Sequence, residues 1–164
     1  DGPYLDRFRY GTDGSGAKNL IVPIGGSRNP AAINLTPEAY TDDSGNIRTD
    51  ANLYMNGPAI FEFSMTRVPQ LFASIFDDSF TLEDVDLFAF HQANKFMLDS
   101  LRRRVKLPAE KFIAAFEHCG NTVSSSIPIA LKESIKSGDL TVGKTVVGVG
   151  FGVGYSWAGC VIKW

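Results

Sequence analysis

Two short polar motifs interrupt apolar surroundings in the second half of the chain, and both carry groups suited to hydrogen-bond chemistry. His91-Gln92-Ala93-Asn94 follows the apolar run Leu87-Phe88-Ala89-Phe90 and precedes a helical pattern. The carboxyl end of a strand is where open α/β sheets place ligands, although a histidine there also serves simply to hydrogen-bond structure. Gly120-Asn121-Thr122, continuing into Val123-Ser124-Ser125-Ser126-Ile127-Pro128, likewise follows an apolar run, Phe112 to Phe116, and opens a helix. Two readings stand here: a side chain converging with His91 from a neighbouring strand end, or an ordinary helix cap after a glycine turn. The run Gly148-Val149-Gly150-Phe151-Gly152-Val153-Gly154 lacks the following helix that a dinucleotide fingerprint needs. It reads either as a hairpin turn or as backbone that aims amide N–H groups at a ligand, as an oxyanion site requires. Arg102-Arg103-Arg104 with Lys106, near Lys95 and Lys111, is either a solvated helical face or a dock for an acidic partner or phosphate. Cys160 lies in the final apolar run and reads as core, whereas Cys119 adjoins the asparagine motif. A neighbour in sequence such as His118 is not a neighbour in geometry, so neither cysteine is assigned as a nucleophile.

These groups need elements to position them. Residues 1 to about 50 are rich in turn formers, with Leu20-Ile21-Val22 as a short strand and Asp42-Asp43-Ser44-Gly45-Asn46 as a solvated turn. Gly11 and Gly16 have phosphate-loop spacing, but Ala17-Lys18-Asn19 follows where Lys-Ser or Lys-Thr is required, so nucleotide binding is rejected. From Pro58 the apolar residues recur at helical spacing, and Thr81-Leu82-Glu83-Asp84 has the form of a capping box. Leu87–Phe90 and Phe112–Phe116 read as buried strands. Phe96, Met97, Leu101 and Val105 mark an amphipathic helix, and Asn121 to Ser137 a further one stopped by Gly138. Thr145–Val149 and Ser156–Ile162 finish the chain as strands. The order predicts an α/β domain built on a mixed sheet covered by helices. The division expected is a loop-rich segment over 1–56 and a C-terminal domain over 57–164.

Composition narrows the class without naming a chemistry. With 164 residues, 44% of them hydrophobic and 21% charged, the chain is long enough to bury one core. A net charge of -2 gives no reason to expect nucleic acid or an anionic membrane. No apolar run approaches the ~18 residues that suggest a membrane helix. The first residues, Asp1 to Arg7, have neither a basic start nor an apolar stretch, so no signal peptide is expected. Two cysteines are too few for a disulfide framework, which makes a cytoplasmic setting the expectation, and no metal-ligand spacing involves His91 or His118.

Taken together, the motifs resemble the β-ketoacyl-acyl-carrier-protein synthase III family of thiolase-fold condensing enzymes. His91-Gln92-Ala93-Asn94 is similar to its histidine motif and Gly120-Asn121-Thr122 to its asparagine motif. Gly11 through Arg28 resembles its mid-chain loop, and Met55-Asn56-Gly57-Pro58-Ala59-Ile60-Phe61 the segment that lines its substrate tunnel. Phe151-Gly152-Val153-Gly154-Tyr155-Ser156-Trp157 resembles its C-terminal glycine turn. The resemblance implies a thiolase-like half and a decarboxylative Claisen condensation between an acyl thioester and malonyl-carrier protein. It assigns His91 and Asn121 as catalytic hydrogen-bond donors and the Val153 N–H as part of an oxyanion site. It places Gly57, Phe61, Ala93 and Asn94 at the substrate, and Lys95, Arg102, Arg103 and Arg104 at the docked carrier protein. Asparagine is neither acid nor base at neutral pH, which suits it to hydrogen bonding rather than proton transfer. Acyl carrier protein, coenzyme A thioester, a homodimer of the intact enzyme and no cofactor or metal are implied.

The family's nucleophilic cysteine comes from an N-terminal half, so this chain is expected to be a C-terminal half, inactive alone. Two departures stand out: Val153 occupies a position usually held by glycine, and Lys95-Phe96 follows the histidine motif where housekeeping members carry an arginine. Specialised acyltransferases or starter-unit synthases of the same fold, and a non-catalytic pairing subunit, are the alternatives.

Overall fold

A computed structural model describes residues 2–30 and 37–164. The chain runs β1 (Tyr4–Thr12), β2 (Leu20–Ile21), β3 (Tyr40–Thr41), β4 (Ile47–Arg48) and β5 (Tyr54–Met55). It continues through α1 (Gly57–Ser74), β6 (Leu87–Phe90), α2 (Lys95–Arg104), α3 (Ser126–Ser137), β7 (Thr145–Gly152) and β8 (Ser156–Lys163). The main sheet is ordered β1-β8-β7-β6. β6 and β7 are parallel, while β7–β8 and β8–β1 are antiparallel. β2 pairs with β5, and β3 pairs with β4 around the turn that Asp42 holds by accepting from the Ser44 and Asn46 N–H groups.

Side-chain alternation splits the core into two layers. Phe88, Phe90, Val147, Val149 and Val161 face one way and pack with Phe63, Val68, Leu71 and Phe72 of α1 and Met97, Leu98 and Leu101 of α2. Leu87, Ala89 and Val146 face the other way, toward Ala130 of α3 and Leu140. All four residues of β6 are buried, as a strand covered on both faces requires. Each fully buried Phe or Leu contributes about 1.5–3 kcal/mol of transfer free energy, so this end strand is held by both apolar layers. α1 begins where expected: Asn56 accepts from the Ala59 N–H at 3.1 Å, and Pro58 sits in the first turn. Its end closes tightly on β8, because a Cβ at Gly159 would lie 2.9 Å from Cδ1 of Ile75, the residue after α1, and 3.5 Å from Leu71 Cδ2. Leu82–Asp84 forms the short 3-10 turn, with both capping-box bonds between Thr81 and Asp84 present.

Several sequence expectations need correction. The opening stretch is not all loop: β1 is a nine-residue edge strand. Its period is broken by a register shift between Asp6 and Arg9, and its side chains are mostly exposed, so it carries no clean alternation. Phe112–Phe116 is not a regular strand. It makes one parallel bridge, Phe88 to Phe112, and beyond it a side chain replaces the strand ladder. Gln92 is 1% exposed; its Nε2 donates to the Phe90 and Ile113 oxygens and its Oε1 accepts from the Ala115 N–H at 2.8 Å. The last helix starts at Ser126 rather than Asn121, after a 3-10 turn over Val123–Ser125, and ends at Gly138 in the left-handed conformation. Finally, Phe96, one of the four residues marking the amphipathic helix, is 70% exposed. Among the described residues no helix is long and apolar enough to cross a membrane.

Candidate active site

β6 delivers His91 to the edge of the sheet. Its N–H still donates to the Val149 oxygen at 2.8 Å, so the backbone is fixed to β7 up to the residue that carries the imidazole. The half-buried ring then has three neighbours. Nδ1 lies 2.7 Å from the Ser126 hydroxyl, and the ring meets Phe151 edge to face with centroids 5.3 Å apart. The third is the Val123 main chain. Burial pushes the imidazole below the ordinary histidine value, while a hydrogen bond to the Val123 backbone pulls the other way. The balance favours a neutral ring.

Asn121 reaches the same place from the adjoining segment. Its Oδ1 accepts from the Val123 N–H at 2.9 Å, a local side-chain turn rather than a cap of α3. A main-chain N–H only donates, so the oxygen must face it and the NH2 must point away. Among the described residues that NH2 donates to no protein group, and Asn121 is exposed. Val123 lies beside both, giving its N–H to Asn121 and setting its main chain against the His91 ring. It does so at φ 55, the left-handed region, which a β-branched residue adopts only at a cost of about 1–3 kcal/mol. Strain of this size persists where surrounding bonds over-determine the geometry, as they do here. Thr122 Oγ1, between them, is buried without a hydrogen-bond partner among the described residues.

The glycine run lies mostly inside β7; the turn itself is Val153-Gly154-Tyr155 between the paired Gly152 and Ser156. Tyr155 anchors it. Its N–H and oxygen exchange bonds with Asp13 at 2.5 and 2.8 Å, its hydroxyl accepts from Asn19 Nδ2 at 2.6 Å, and its ring stacks on Phe63 at 4.1 Å. Gly16 lets this ring close in, since any Cβ there would overlap it. Val153, 56% exposed, is thereby held at the tip of the turn that follows β7, the strand that also fixes His91.

The remaining candidates divide. Phe61 on α1 stacks on Phe96 of α2 at 5.4 Å, and Gly57 begins α1. Ala93 is half-buried against the core, while Asn94 spends its Oδ1 on the Met97 N–H at 2.9 Å as the cap of α2. Of the basic cluster, Arg102 donates to the Leu107 oxygen and Lys95 pairs with Asp99 at 3.5 Å. Arg103 and Arg104 are exposed and line a groove with Phe61, Met65 and Ser100. Lys111 is spent on the Val85 oxygen at 2.6 Å. Cys160 is half-buried in β8, and burial pushes its thiol up. Cys119 is exposed and opens on a cleft of about 690 Å³ lined by His118, Ile129 and Glu133, among others. Among the described residues no cluster of metal-ligating side chains occurs. Sequence reasoning passed over Gln92, Ser126 and Tyr155. Their only sequence signal was membership of the same short motifs.

A family model described as 3-oxoacyl-[acyl-carrier-protein (ACP)] synthase III C terminal matches residues 76–164. The beta-ketoacyl-[acyl-carrier-protein] synthase III of Microcystis aeruginosa is 36% identical over 113 residues, 68% of this chain and 34% of the relative. That of Symbiobacterium thermophilum is 34% identical over 155 residues, 94% of this chain and 44% of the relative. A crystal structure of a 3-oxoacyl-(acyl-carrier-protein) synthase III superposes with a TM-score of 0.91 at 45% identity, over 98% of this chain and 48% of that one. The chain spans less than half the length of these relatives, and its α/β thiolase-like arrangement is theirs. With the family model covering more than half of its residues, the chain belongs to the 3-oxoacyl-[acyl-carrier-protein] synthase III family, in its C-terminal portion.

Proposed function

We propose that this chain supplies the enolate-stabilising groups of a decarboxylative condensing enzyme acting on an acyl thioester and malonyl-carrier protein. In that reaction the bond to the malonyl carboxylate breaks and carbon dioxide leaves. The electron pair passes into the thioester as an enolate, whose carbon attacks an acyl group held on a cysteine thiolate, and the thiolate departs as the new carbon–carbon bond forms. Charge accumulates on the malonyl thioester oxygen. The single observation carrying the assignment is that His91 and Asn121 meet on Val123, the asparagine with its NH2 turned outward and the histidine neutral. Two uncharged donors set beside one residue suit an oxygen that becomes negative only during the reaction. The Val153 N–H, in the turn anchored by Tyr155, would hold the oxyanion formed on the acyl side.

The acyl-bearing cysteine is assigned to a segment outside these 164 residues, since Cys160 is half-buried in β8 and Cys119 opens on a separate cleft. Gly57, Phe61, Ala93 and Asn94 line the approach in this reading, Asn94 through its main chain because its side chain caps α2. Arg103 and Arg104 are exposed members of the basic cluster and would meet the acidic carrier protein, with Lys95 and Arg102 behind them. Coenzyme A thioester as acyl donor, a homodimer, a cytoplasmic setting and chemistry without a further cofactor complete the proposal.

Condensation of acyl-coenzyme A with malonyl-carrier protein tests it. In the enzyme joined to its cysteine-bearing segment, His91→Ala and Asn121→Ala each should lower kcat about 10²–10³-fold, the usual effect of deleting one oxyanion donor. Asn121→Asp, which keeps the size but loses the donor, should be no better than alanine. Undiminished condensation in Asn121→Asp, or turnover by the 164-residue chain alone, would remove the assignment.

A further inference from the structure

The geometry points to Ser126 as a positioning residue that fixes which nitrogen of His91 carries the proton. This rests on the reading of His91 as a donor but makes a separate claim about the ring itself. Ser126 is 2% exposed and begins α3. Its oxygen lies 3.3 Å from the Gln92 main-chain nitrogen and 2.7 Å from His91 Nδ1. The Gln92 N–H can only donate, so it takes one lone pair of the hydroxyl. The remaining question is where the hydroxyl proton goes. Other helical serines send theirs to a carbonyl of the preceding turn: Ser64 to Ile60, Ser100 to Phe96 and Ser134 to Ala130. Ser126 makes no such bond, because the 3-10 turn over Val123–Ser125 precedes it. His91 Nδ1 is therefore the acceptor available to it, and a buried hydroxyl proton without an acceptor would cost about 1–3 kcal/mol.

A hydroxyl that donates to Nδ1 leaves the proton of the neutral ring on Nε2. The hydrogen bond made by one ring nitrogen sets the state of the other. Nε2–H is then a donor with a fixed direction, which is what the developing thioester oxygen needs. Opposite assignment, with Nδ1–H donating to Ser126, would leave Nε2 as a bare lone pair facing that oxygen. The serine thus decides whether the imidazole attracts or repels the growing charge.

Ring-nitrogen NMR on the ¹⁵N-labelled protein tests this without any substitution. Long-range correlations of Nδ1 and Nε2 to the ring carbons' protons should show His91 as the Nε2–H tautomer, with His118→Gln used to assign the two histidines. Observation of Nδ1–H in the wild type overturns the inference, whatever the enzyme's activity. In Ser126→Ala the His91 signals should move toward a mixture of tautomers, and kcat of the enzyme joined to its cysteine-bearing segment should fall about 10–100-fold, typical for outer partners that orient a histidine. KM should change little. Ser126→Thr, which keeps the hydroxyl, should restore both the tautomer and most of kcat. An alanine variant that loses activity while keeping a pure Nε2–H ring would assign Ser126 a packing role only and reject the inference. Loss of condensation from every form, with the tautomer intact, would instead reject the proposed reaction and leave the serine's role standing.

Discussion

His91 and Asn121 are set side by side because one strained residue, Val123, touches both. The Val123 N–H bonds Asn121 Oδ1 and the Val123 main chain lies against the imidazole, so both side chains are set from one residue. The ring's depressed pKa gives a pH prediction with a definite sign. Burial is the first cause, and it disfavours the charged ring. The folded protein therefore binds a proton on His91 less readily than the unfolded chain does. Stability linked to this group is complete above about pH 6.5 and is lost as pH falls through the lower folded value. Activity should follow the same limb, since a protonated ring loses its acceptor contact at Nδ1. An NMR titration of the His91 ring should have its midpoint below 6.5, and the acid limb of kcat/KM should lie there too. A midpoint at or above that value would contradict the burial argument. At this scale His91 and Asn121 were legible, since a histidine after four apolar residues has few places to be. Ser126 and Val123 were not, because their roles depend on how a turn folds back on a strand tip, and spacing carries no such information.

At the level of elements, the sequence pattern worked where burial is regular and failed where side chains replace backbone. β6, β7, β8, α1 and α2 were all readable from apolar runs, caps and breakers. Phe112–Phe116 looked like another strand because its residues are apolar, yet only Phe112 bridges β6. Gln92 takes the place of the missing ladder, offering one amide to three main-chain groups. It also sits directly after His91, so the same side chain that fastens this segment braces the strand end that carries the imidazole. Replacing Gln92 with Leu keeps the volume and strands the Ala115 N–H and two carbonyls away from water. Each stranded group costs about 1–3 kcal/mol, but neighbours relax, so the expected loss is about 2–4 kcal/mol. Urea unfolding should show a lower midpoint with an unchanged m-value. A midpoint within experimental error of the wild type would mean that these bonds are exchanged for water at no cost. The late start of α3 has a similar origin. Val123 takes a left-handed conformation that no helix includes, and nothing in its identity as valine announces that.

Across the whole molecule, the first segment and the last strand close on each other. β1 is the edge strand, and Tyr4, Leu5, Phe8 and Tyr10 are all more than half exposed, so burial contributes little to holding it. Its attachment is the ladder to β8 together with two arginines. Arg7 donates to Asp77 at 2.7 Å and to Ser79 at 2.8 Å, with its guanidinium over Phe80, and Arg9 donates to the Ser74 oxygen at 2.9 Å. The Arg7 guanidinium and Ser79 hold the Asp77 carboxyl well below the usual carboxylate range. These clamps tie β1 to the end of α1 and the loop after it. The strand then leads into Asp13, whose main chain exchanges two bonds with Tyr155 and so fixes the turn bearing Val153. A sequence read from its own periodicity had no access to this, because Arg7 takes φ 52 at the register shift and breaks the alternation. Local stability should differ accordingly, since elements with few buried contacts open at low free energy. Hydrogen exchange of β1 amides should be much faster than that of β6 and β7. Arg7→Ala should speed exchange in β1 and at the Asp13 and Tyr155 amides, while Val147 and Val149 in β7 keep their protection. Equal acceleration across the sheet would mean that β1 opens only with the whole fold, and that the clamp does not act locally on the turn.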